Sequence, residues 1–293
     1  MIIVIAGPTC SGKSSLALKI AKKFNGEIVN GDAFQVYKYF NIGTAKPTLE
    51  ERKEVQHHLF DFIEPSKNYS VKDYQEDVRK IIIEIQKANK NIIIVGGTGL
   101  YQKAALFDYS FVNENKRVDL SDLDNLSNYE LYEYLKNIDE KSATKIHFNN
   151  RKRVLRAIEI FRQHGKTKSS IENAQDHKLL YDVLFVGLNI ARDKLYVDID
   201  KRVDKMFENG LLEEVEFLKN KFPRSCHAFQ AIGYKELLDY FDKNISLEDA
   251  KNLIKQHSRN YAKRQMTFFK NQLPIIWFDT KEEAFNYVMK EIG

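Results

Sequence analysis

Sulfur is scarce in this chain. Two cysteines, Cys10 and Cys226, occur in 293 residues, and nothing around either has metal-ligand spacing. A disulfide framework and a cysteine-based metal site are therefore not expected. Long apolar runs are also missing near the start. Met1 to Ala6 ends at Gly7 and Pro8, far short of the ~20 residues of a membrane span, and no basic segment precedes it. No membrane span and no export signal are expected, which leads to the cytoplasm as the expected compartment. Internal repeats and low-complexity tracts are absent as well. Formal charge of one sign hardly dominates, at +5 overall.

What is present reads as an α/β chain. Its length and apolar content support one large domain, or a core carrying a smaller insertion. MIIVIA is a continuous β-branched run suited to a strand buried on both faces of a parallel sheet. A helical segment follows in SSLALKIAKKF and a short strand in GEIVN. The amphipathic VKDYQEDVRKIIIEIQKA then leads into a second buried strand, NIIIVGG. Strands and helices alternating at these lengths predict a parallel sheet with right-handed crossovers. Strand patterns vanish over 113–173, where Leu131, Tyr134, Leu135 and Ile138, then Val154, Ile158 and Phe161, keep a helical period that stops before Gly165. We expect a core over 1–112 and 174–293, with a helical insertion between. The chain returns to the sheet at YDVLFVGLNIAR and ends mostly helical apart from a strand at PIIWFD.

Gly7, Gly12, Lys13 and Ser14 satisfy G-x-x-x-x-G-K-[ST] between a predicted strand and a predicted helix. Such a loop turns backbone N–H groups toward phosphate oxygens, adds a helix N-terminus, and supplies a lysine charge and a hydroxyl for Mg²⁺. A nucleoside triphosphatase of this class also carries an aspartate at the end of a second apolar strand. Here that strand ends in Gly96, Gly97, Thr98 and Gly99, without a carboxylate. Another strand-end acid is Asp32, in NGDAFQVYK. Residues at the carboxyl ends of parallel strands face a common crevice, so Asp32 and Thr98 are candidates to meet whatever the loop holds. NGD is equally a common turn sequence.

Charge is unevenly spread. Asp108 to Lys141 is acid-rich, whereas Thr144 to Lys168 and Lys251 to Lys270 are basic, a pattern of either a polyanionic partner or solvated helix faces. Arg153 and Arg156 lie three apart, and Lys255, Arg259 and Lys263 recur every four residues beside apolar Leu253, Ile254 and Tyr261. Ser246 with Asp249 begins that helix as a capping box. Adjacent His57 and His58 point different ways on any regular element, which argues against joint metal ligation.

The words GPTCSGKS, NGDAFQVYK, NIGTAKP, HHLFD, VGGTGLY, RVLRAIEIF, RVDKMFENGLLEEV, QAIGYKEL and AKRQMTFF stand in the order seen in the tRNA dimethylallyltransferases. The chain resembles that family over nearly its whole length. The resemblance implies a P-loop NTPase-like parallel-sheet core with a helical insertion domain and a helical C-terminal part. It also implies transfer of a dimethylallyl group from dimethylallyl diphosphate to the exocyclic amine of the adenosine just 3′ of the anticodon. On this likeness Gly7, Pro8, Thr9, Cys10, Ser11, Gly12, Lys13 and Ser14 would hold the diphosphate, with Mg²⁺ at Ser14. Asp32 would be the general base and Thr98 a contact at the reacting centre.

The anticodon stem-loop of tRNA would meet four segments that match the family pattern. These supply Asp32, Ala33, Phe34 and Gln35, then Lys152, Arg153 and Arg156, then Gln230, Gly233, Tyr234 and Lys235, and lastly Lys263, Arg264 and Gln265. Thr98 and the stripe residue Arg259 join them, with Arg117 a further candidate in the insertion. Ala33 stands where the family has serine, Lys152 where it has glutamine, and Phe268 where it has tryptophan. A monomer is expected.

An exocyclic adenine amine is a poor nucleophile whose proton must be accepted as the bond to carbon forms, work suited to Asp32. The departing diphosphate needs cations, for which Lys13, Mg²⁺ and either Arg192 or Arg202 are available. Because the amine lies in a stacked loop, the base must be drawn out at a cost that protein contacts repay. Alternatives on the same residues are prenylation of a free adenine nucleotide, a small-molecule kinase or nucleotide switch, and a catalytically idle RNA-binding protein.

Overall fold

The computed structural model describes residues 1–111 and 118–292. Arg117 lies outside the described residues. The chain divides into two compact units, one of Met1–Leu106 with Tyr181–Gly293 and the other of Phe107–Leu180.

In the first unit, β1 (Ile2–Ala6), β2 (Gly26–Asn30), β3 (His57–His58), β4 (Asn91–Val95), β5 (Val183–Leu188) and β6 (Ile276–Phe278) form one sheet in the order β3-β2-β4-β1-β5-β6. Every pairing is parallel. All five residues of β1 are fully buried, the outcome anticipated for a continuous β-branched run covered on both faces. Register matters for the site. Ile5 lies opposite Val95 and Val186, and Asn30 opposite Val95, so the chain leaves β1, β2 and β4 at one level.

Four helices accompany the first strands: α1 (Lys13–Lys23), α2 (Leu49–Glu54), α3 (Val71–Lys87) and α4 (Gly99–Leu106). α1 buries Leu16, Ala17, Ile20 and Ala21 at the spacing of one helical face. α3 starts at a Ser70–Asp73 capping box, which satisfies two backbone donors reciprocally.

The second unit holds α5 (Asn128–Ile138), α6 (Glu140–Lys145), α7 (Arg151–His164) and α8 (Lys168–Asn173). Leu123, Leu131, Leu135, Val154 and Ile158 form its core, and α7 ends at Gly165 in the left-handed conformation, φ 64°. Its bounds are wider than the 113–173 read from periodicity. The flanks pair with each other outside any helix, with Phe107 opposite Leu179, Asp108 N–H donating to Lys178 O at 2.9 Å, and Gln175 Nε2 donating to Ser110 O at 3.0 Å. Periodicity has no signal for such a pairing.

The remaining helices belong to the first unit: α9 (Arg192–Glu208), α10 (Leu211–Lys221), α11 (Tyr234–Phe241), α12 (Leu247–Gln272) and α13 (Lys281–Ile292). Ala284 and Val288 of α13 join the core cluster with Leu16 and Ile20 of α1. The 26 residues of α12 begin at the Ser246–Asp249 capping box and extend about 39 Å. No helix among the described residues is long and apolar enough to cross a membrane.

Candidate active site

The loop from β1 into α1 is shaped by three left-handed or glycine-only backbone positions, Gly7 (φ 146°), Cys10 (φ 63°) and Gly12 (φ 82°). A side chain on Gly7 would sit 2.8 Å from Ser11 Oγ and 3.2 Å from Leu188 O, so the tight approach to β5 requires glycine there. Lys13 folds back and donates from Nζ to Pro8 O at 3.0 Å. Burial, aided by the neighbouring Arg202 guanidinium, lowers its pKa to about 8, while Asp32 pulls the other way. The lysine is thus held over its own loop with a charge that it gives up more readily than an ordinary lysine does.

Asp32 follows β2 in a turn built by Asn30, whose side chain is fully buried. Asn30 Oδ1 accepts from Asp32 N–H at 2.8 Å, and its Nδ2 donates to Asp32 O at 3.0 Å and Leu59 O at 2.9 Å. Phe34 N–H donates to Asp32 Oδ1 at 2.9 Å. The turn reading of NGD and the reactive reading are therefore compatible. One carboxylate oxygen anchors the turn, while Oδ2 lies 3.4 Å from where a Cβ on Gly97 would be. Burial raises the Asp32 pKa despite the Phe34 N–H and the charge of Lys13, so the carboxylate is more basic than usual. Thr98 Oγ1 accepts from Ala33 N–H at 3.1 Å and Thr98 N–H donates to Gly31 O at 3.0 Å, which locks the loop after β4 to the Asp32 turn.

The second half of the chain closes the arrangement. Arg202, on α9, donates from Nη1 to Thr9 Oγ1 at 2.5 Å. Arg192 instead turns onto its own helix, donating to Tyr196 OH at 3.1 Å with its guanidinium 5.2 Å from that ring. Of the two arginines, Arg202 is the one at the loop. A cavity of about 290 Å³ runs between these parts, lined by Thr9, Lys13, Ser14, Asp32 and Arg202 together with Gln230, Lys235 and Arg264. Its apolar wall comes from Ile199, Val203 and Met206 of α9 and from Ile232 and Ile254.

Among the described residues, no three His, Cys, Asp or Glu side chains gather as a metal cage. A magnesium ion shared with a bound diphosphate fits the Ser14 hydroxyl, which lines the cavity beside Lys13. His57 and His58 are engaged separately, with Val55 O and with Glu27.

Other sequence candidates are distributed differently. Gln35 spends its Nε2 on Thr44 O and Ala45 O, at 2.9 and 3.1 Å, so it holds the neighbouring loop. Gly233 (φ 102°) caps α11 through Glu236. Tyr234 is fully buried, its hydroxyl donating to Glu214 Oε1 at 2.6 Å and accepting from Gly43 N–H at 3.1 Å. A group so enclosed braces the Asn41–Thr44 segment and has no surface to offer RNA. Gln265 is 4% exposed and is likewise used internally. On α12, Lys251 and Lys255 pair with Asp204 and Arg259 pairs with Asp200, whereas Lys263 and Arg264 are exposed. The basic stripe is thus partly neutralised by α9, whose acids no reading of α12 alone could include. In the second unit Lys152 and Arg153 are exposed on the first turn of α7, and Arg156 pairs with Glu159 at 2.6 Å.

Tyr261 is one of the residues beside the basic stripe of α12. It lines the cavity, with its hydroxyl donating to Gly97 O at 3.4 Å. Its helical spacing is that of any buried aromatic, so the sequence carries no mark of this placement.

Residues 35–272 match the family model described as IPP transferase. A tRNA dimethylallyltransferase of Anoxybacillus flavithermus is 47% identical over 294 residues, covering 99% of this chain and 94% of that relative. One of Staphylococcus saprophyticus is 44% identical over 300 residues, covering 100% and 95%. Among solved structures, a tRNA delta(2)-isopentenylpyrophosphate transferase of Staphylococcus epidermidis is 42% identical with a TM-score of 0.75, covering 99% of this chain and 98% of that one. A eukaryotic dimethylallyltransferase acting on tRNA is 33% identical with a TM-score of 0.83, covering 99% and 77%.

Proposed function

Since the chain belongs to the IPP transferase family, we propose that it acts as a tRNA dimethylallyltransferase. It moves the dimethylallyl group of dimethylallyl diphosphate to the exocyclic amine of the adenosine 3′-adjacent to the anticodon and releases diphosphate. The observation that carries this reading is the meeting, in one cavity, of a phosphate loop with Lys13 and Arg202 and a carboxylate made more basic by burial, Asp32. A loop meant to hydrolyse a triphosphate needs a strand-end metal acid after β4, where this chain has Gly96 and Gly97.

In the proposed step, the amine nitrogen forms a bond to C1 of the allyl group as the bond from C1 to the diphosphate oxygen breaks. Asp32 Oδ2 takes the amine proton. Its raised pKa suits that work, because a stronger base draws the proton more as the nitrogen becomes acidic. The electron pair of the breaking bond leaves on the diphosphate. Lys13, Arg202 and the loop N–H groups stabilise it there. Mg²⁺, held by the diphosphate with Ser14, would supply further neutralisation of that charge. The Ile199, Val203 and Met206 face gives the five-carbon group an apolar surface that shields allyl-cation character from water.

Exposed Lys263 and Arg264 on α12, and Lys152 and Arg153 on α7, are suited to RNA phosphates. The test is to incubate the purified protein with Mg²⁺, dimethylallyl diphosphate and unmodified tRNA, then weigh the nucleosides. Adenosine carrying one five-carbon group is the expected product. ATP consumption with unmodified tRNA would overturn the reading, and modification of free adenine nucleotide but not tRNA would replace it with the smaller acceptor.

A further inference from the structure

Thr9, the loop residue touched by Arg202, is held a second time from an unexpected direction. Its backbone N–H donates to Gln265 Oε1 at 2.9 Å, across 256 residues of sequence. The other end of the same amide, Gln265 Nε2, donates to Gly97 O at 3.0 Å. Tyr261, one helical turn earlier on α12, directs its hydroxyl to the same carbonyl at 3.4 Å. The fit is close. A Cβ on Gly97 would lie 2.0 Å from Gln265 Nε2, so only glycine allows the amide to enter between the two loops.

We propose that Gln265 is a positioning residue for the transfer reaction: its buried amide clamps the diphosphate loop to the loop after β4, and it is not an RNA contact. The amide is polarised in the one way that serves both neighbours, oxygen to a donor and nitrogen to an acceptor. Without the amide, Thr9 N–H would lose its protein acceptor and Gly97 O would keep only the longer bond from Tyr261. Thr9 is then gripped at its N–H by α12 and at its hydroxyl by α9. Those two helices pack together through Leu195, Ile199 and Ala262, with Cys10 against them. Gly97 carries the loop that contains Thr98 and faces Asp32 Oδ2. The clamp therefore fixes the spacing between the groups that receive the diphosphate and the base that takes the amine proton. In-line transfer depends on that spacing, and a misplacement of about 1 Å can cost roughly a hundredfold in rate.

This inference rests on the prenyl-transfer reading, and the experiment separates the two. Gln265→Met keeps the length of the side chain and removes both bonds. Its kcat at saturating tRNA and dimethylallyl diphosphate should fall roughly tenfold to a hundredfold. Its affinity for inorganic pyrophosphate, read by calorimetry without turnover, should weaken severalfold. Its tRNA dissociation constant should stay within about twofold of the wild type. Gln265→Glu retains an acceptor for Thr9 N–H but sets a carboxylate against Gly97 O, and should lose kcat in the same sense. It supplies the same readouts if the methionine variant loses its helical circular dichroism. Weakened tRNA binding with a wild-type kcat at saturation would overturn the proposal in favour of an RNA contact, and unchanged values throughout would overturn it outright. A wild-type protein that modifies no tRNA would defeat the reading of the reaction, while the pyrophosphate measurement still decides the clamp.

Discussion

Arg202 Nη1 and Thr9 Oγ1 meet at 2.5 Å although 193 positions separate them in the chain. Arg192, ten residues earlier on the same helix, spends its guanidinium on Tyr196. The difference follows from helical geometry, since ten residues rotate a side chain well away from its starting face. On the proposed mechanism Arg202 meets charge that develops on the leaving diphosphate. Arg202→Ala should therefore lower kcat/KM for dimethylallyl diphosphate by about 10²–10³. Arg192→Ala should leave it within about twofold, as is usual for an exposed surface arginine. Steady-state kinetics on the pair distinguishes them, and equal losses would mean that Arg202 has no special place at the loop.

Asp32 is proposed as the base, so Asp32→Asn, which keeps shape and most turn bonds, should reduce kcat by about 10²–10⁴ while tRNA still binds. The pH profile adds a second readout. Burial raises the Asp32 pKa in the folded protein, so the base is lost by protonation at a pH above the usual aspartate range. The acid limb of kcat/KM should lie correspondingly high in the wild type and be absent from the residual rate of the variant. A residual rate with the same acid limb would assign that limb to another group.

Lys13 gives the opposite limb. Its pKa falls to about 8 in the free protein, so the ammonium is largely present below that pH and is lost above it. Diphosphate affinity should weaken as pH rises through about 8, and binding near that pH should draw a proton from the buffer. Calorimetry in buffers of different ionisation enthalpy measures that proton. The sign for stability is reversed. Between about 8 and 10.5 the unfolded chain binds the proton and the folded one does not, so stability from this group rises with pH across that window. Pyrophosphate binding that is flat from pH 7 to 9 would show that Lys13 is not the cation involved.

Much of this site could be read directly from the chain, because its first half is local. The β1 run, the glycine-rich turn and α1 are contiguous, and NGD places Asp32 at the end of β2 by the same short-range logic. The Ser246–Asp249 capping box fixes the start of α12 within four residues. The rest depends on elements that cross far apart in sequence. Nothing near Gln265 indicates that its amide faces inward directly after two exposed cations, and nothing near Tyr234 indicates that Glu214 and Gly43 enclose its hydroxyl. Helical periodicity marks a face as buried, but it does not separate a core face from the wall of a cavity. Ile199, Val203 and Met206 therefore look like ordinary core.

Tyr234→Phe removes only the hydroxyl, which costs Gly43 N–H its acceptor and leaves Glu214 Oε1 with the Ile42 N–H. The expected cost is about 1–3 kcal/mol of stability, seen as a lower denaturant midpoint at unchanged slope. The brace also orients the Asn41–Thr44 segment, whose Gly43 and Thr44 line the cavity, so KM for dimethylallyl diphosphate should rise modestly. Affinity for tRNA should be retained. Lost tRNA affinity with an unchanged midpoint would place the phenol at the RNA instead.

The ion pairs along α12 divide its cations into two sets with different expected behaviour. Lys255 lies 2.8 Å from Asp204 and Arg259 lies 2.5 Å from Asp200, so these charges are already partly compensated by α9. Lys263 is exposed, one turn further along the same stripe. A phosphate contact releases counterions, so replacing a cation that makes one weakens binding and also flattens the dependence of affinity on salt. Lys263→Ala should weaken tRNA binding and reduce the magnitude of the slope of log K against log salt by about 1. Lys255→Ala should leave that slope nearly unchanged, because Asp204 keeps Lys251 as a partner at 2.9 Å and the compensated cluster stays nearly neutral. Titrations of unmodified tRNA at several salt concentrations separate these outcomes. A slope that drops for Lys255→Ala and not for Lys263→Ala would mean that RNA displaces the α9 acids and docks on the compensated part of the helix.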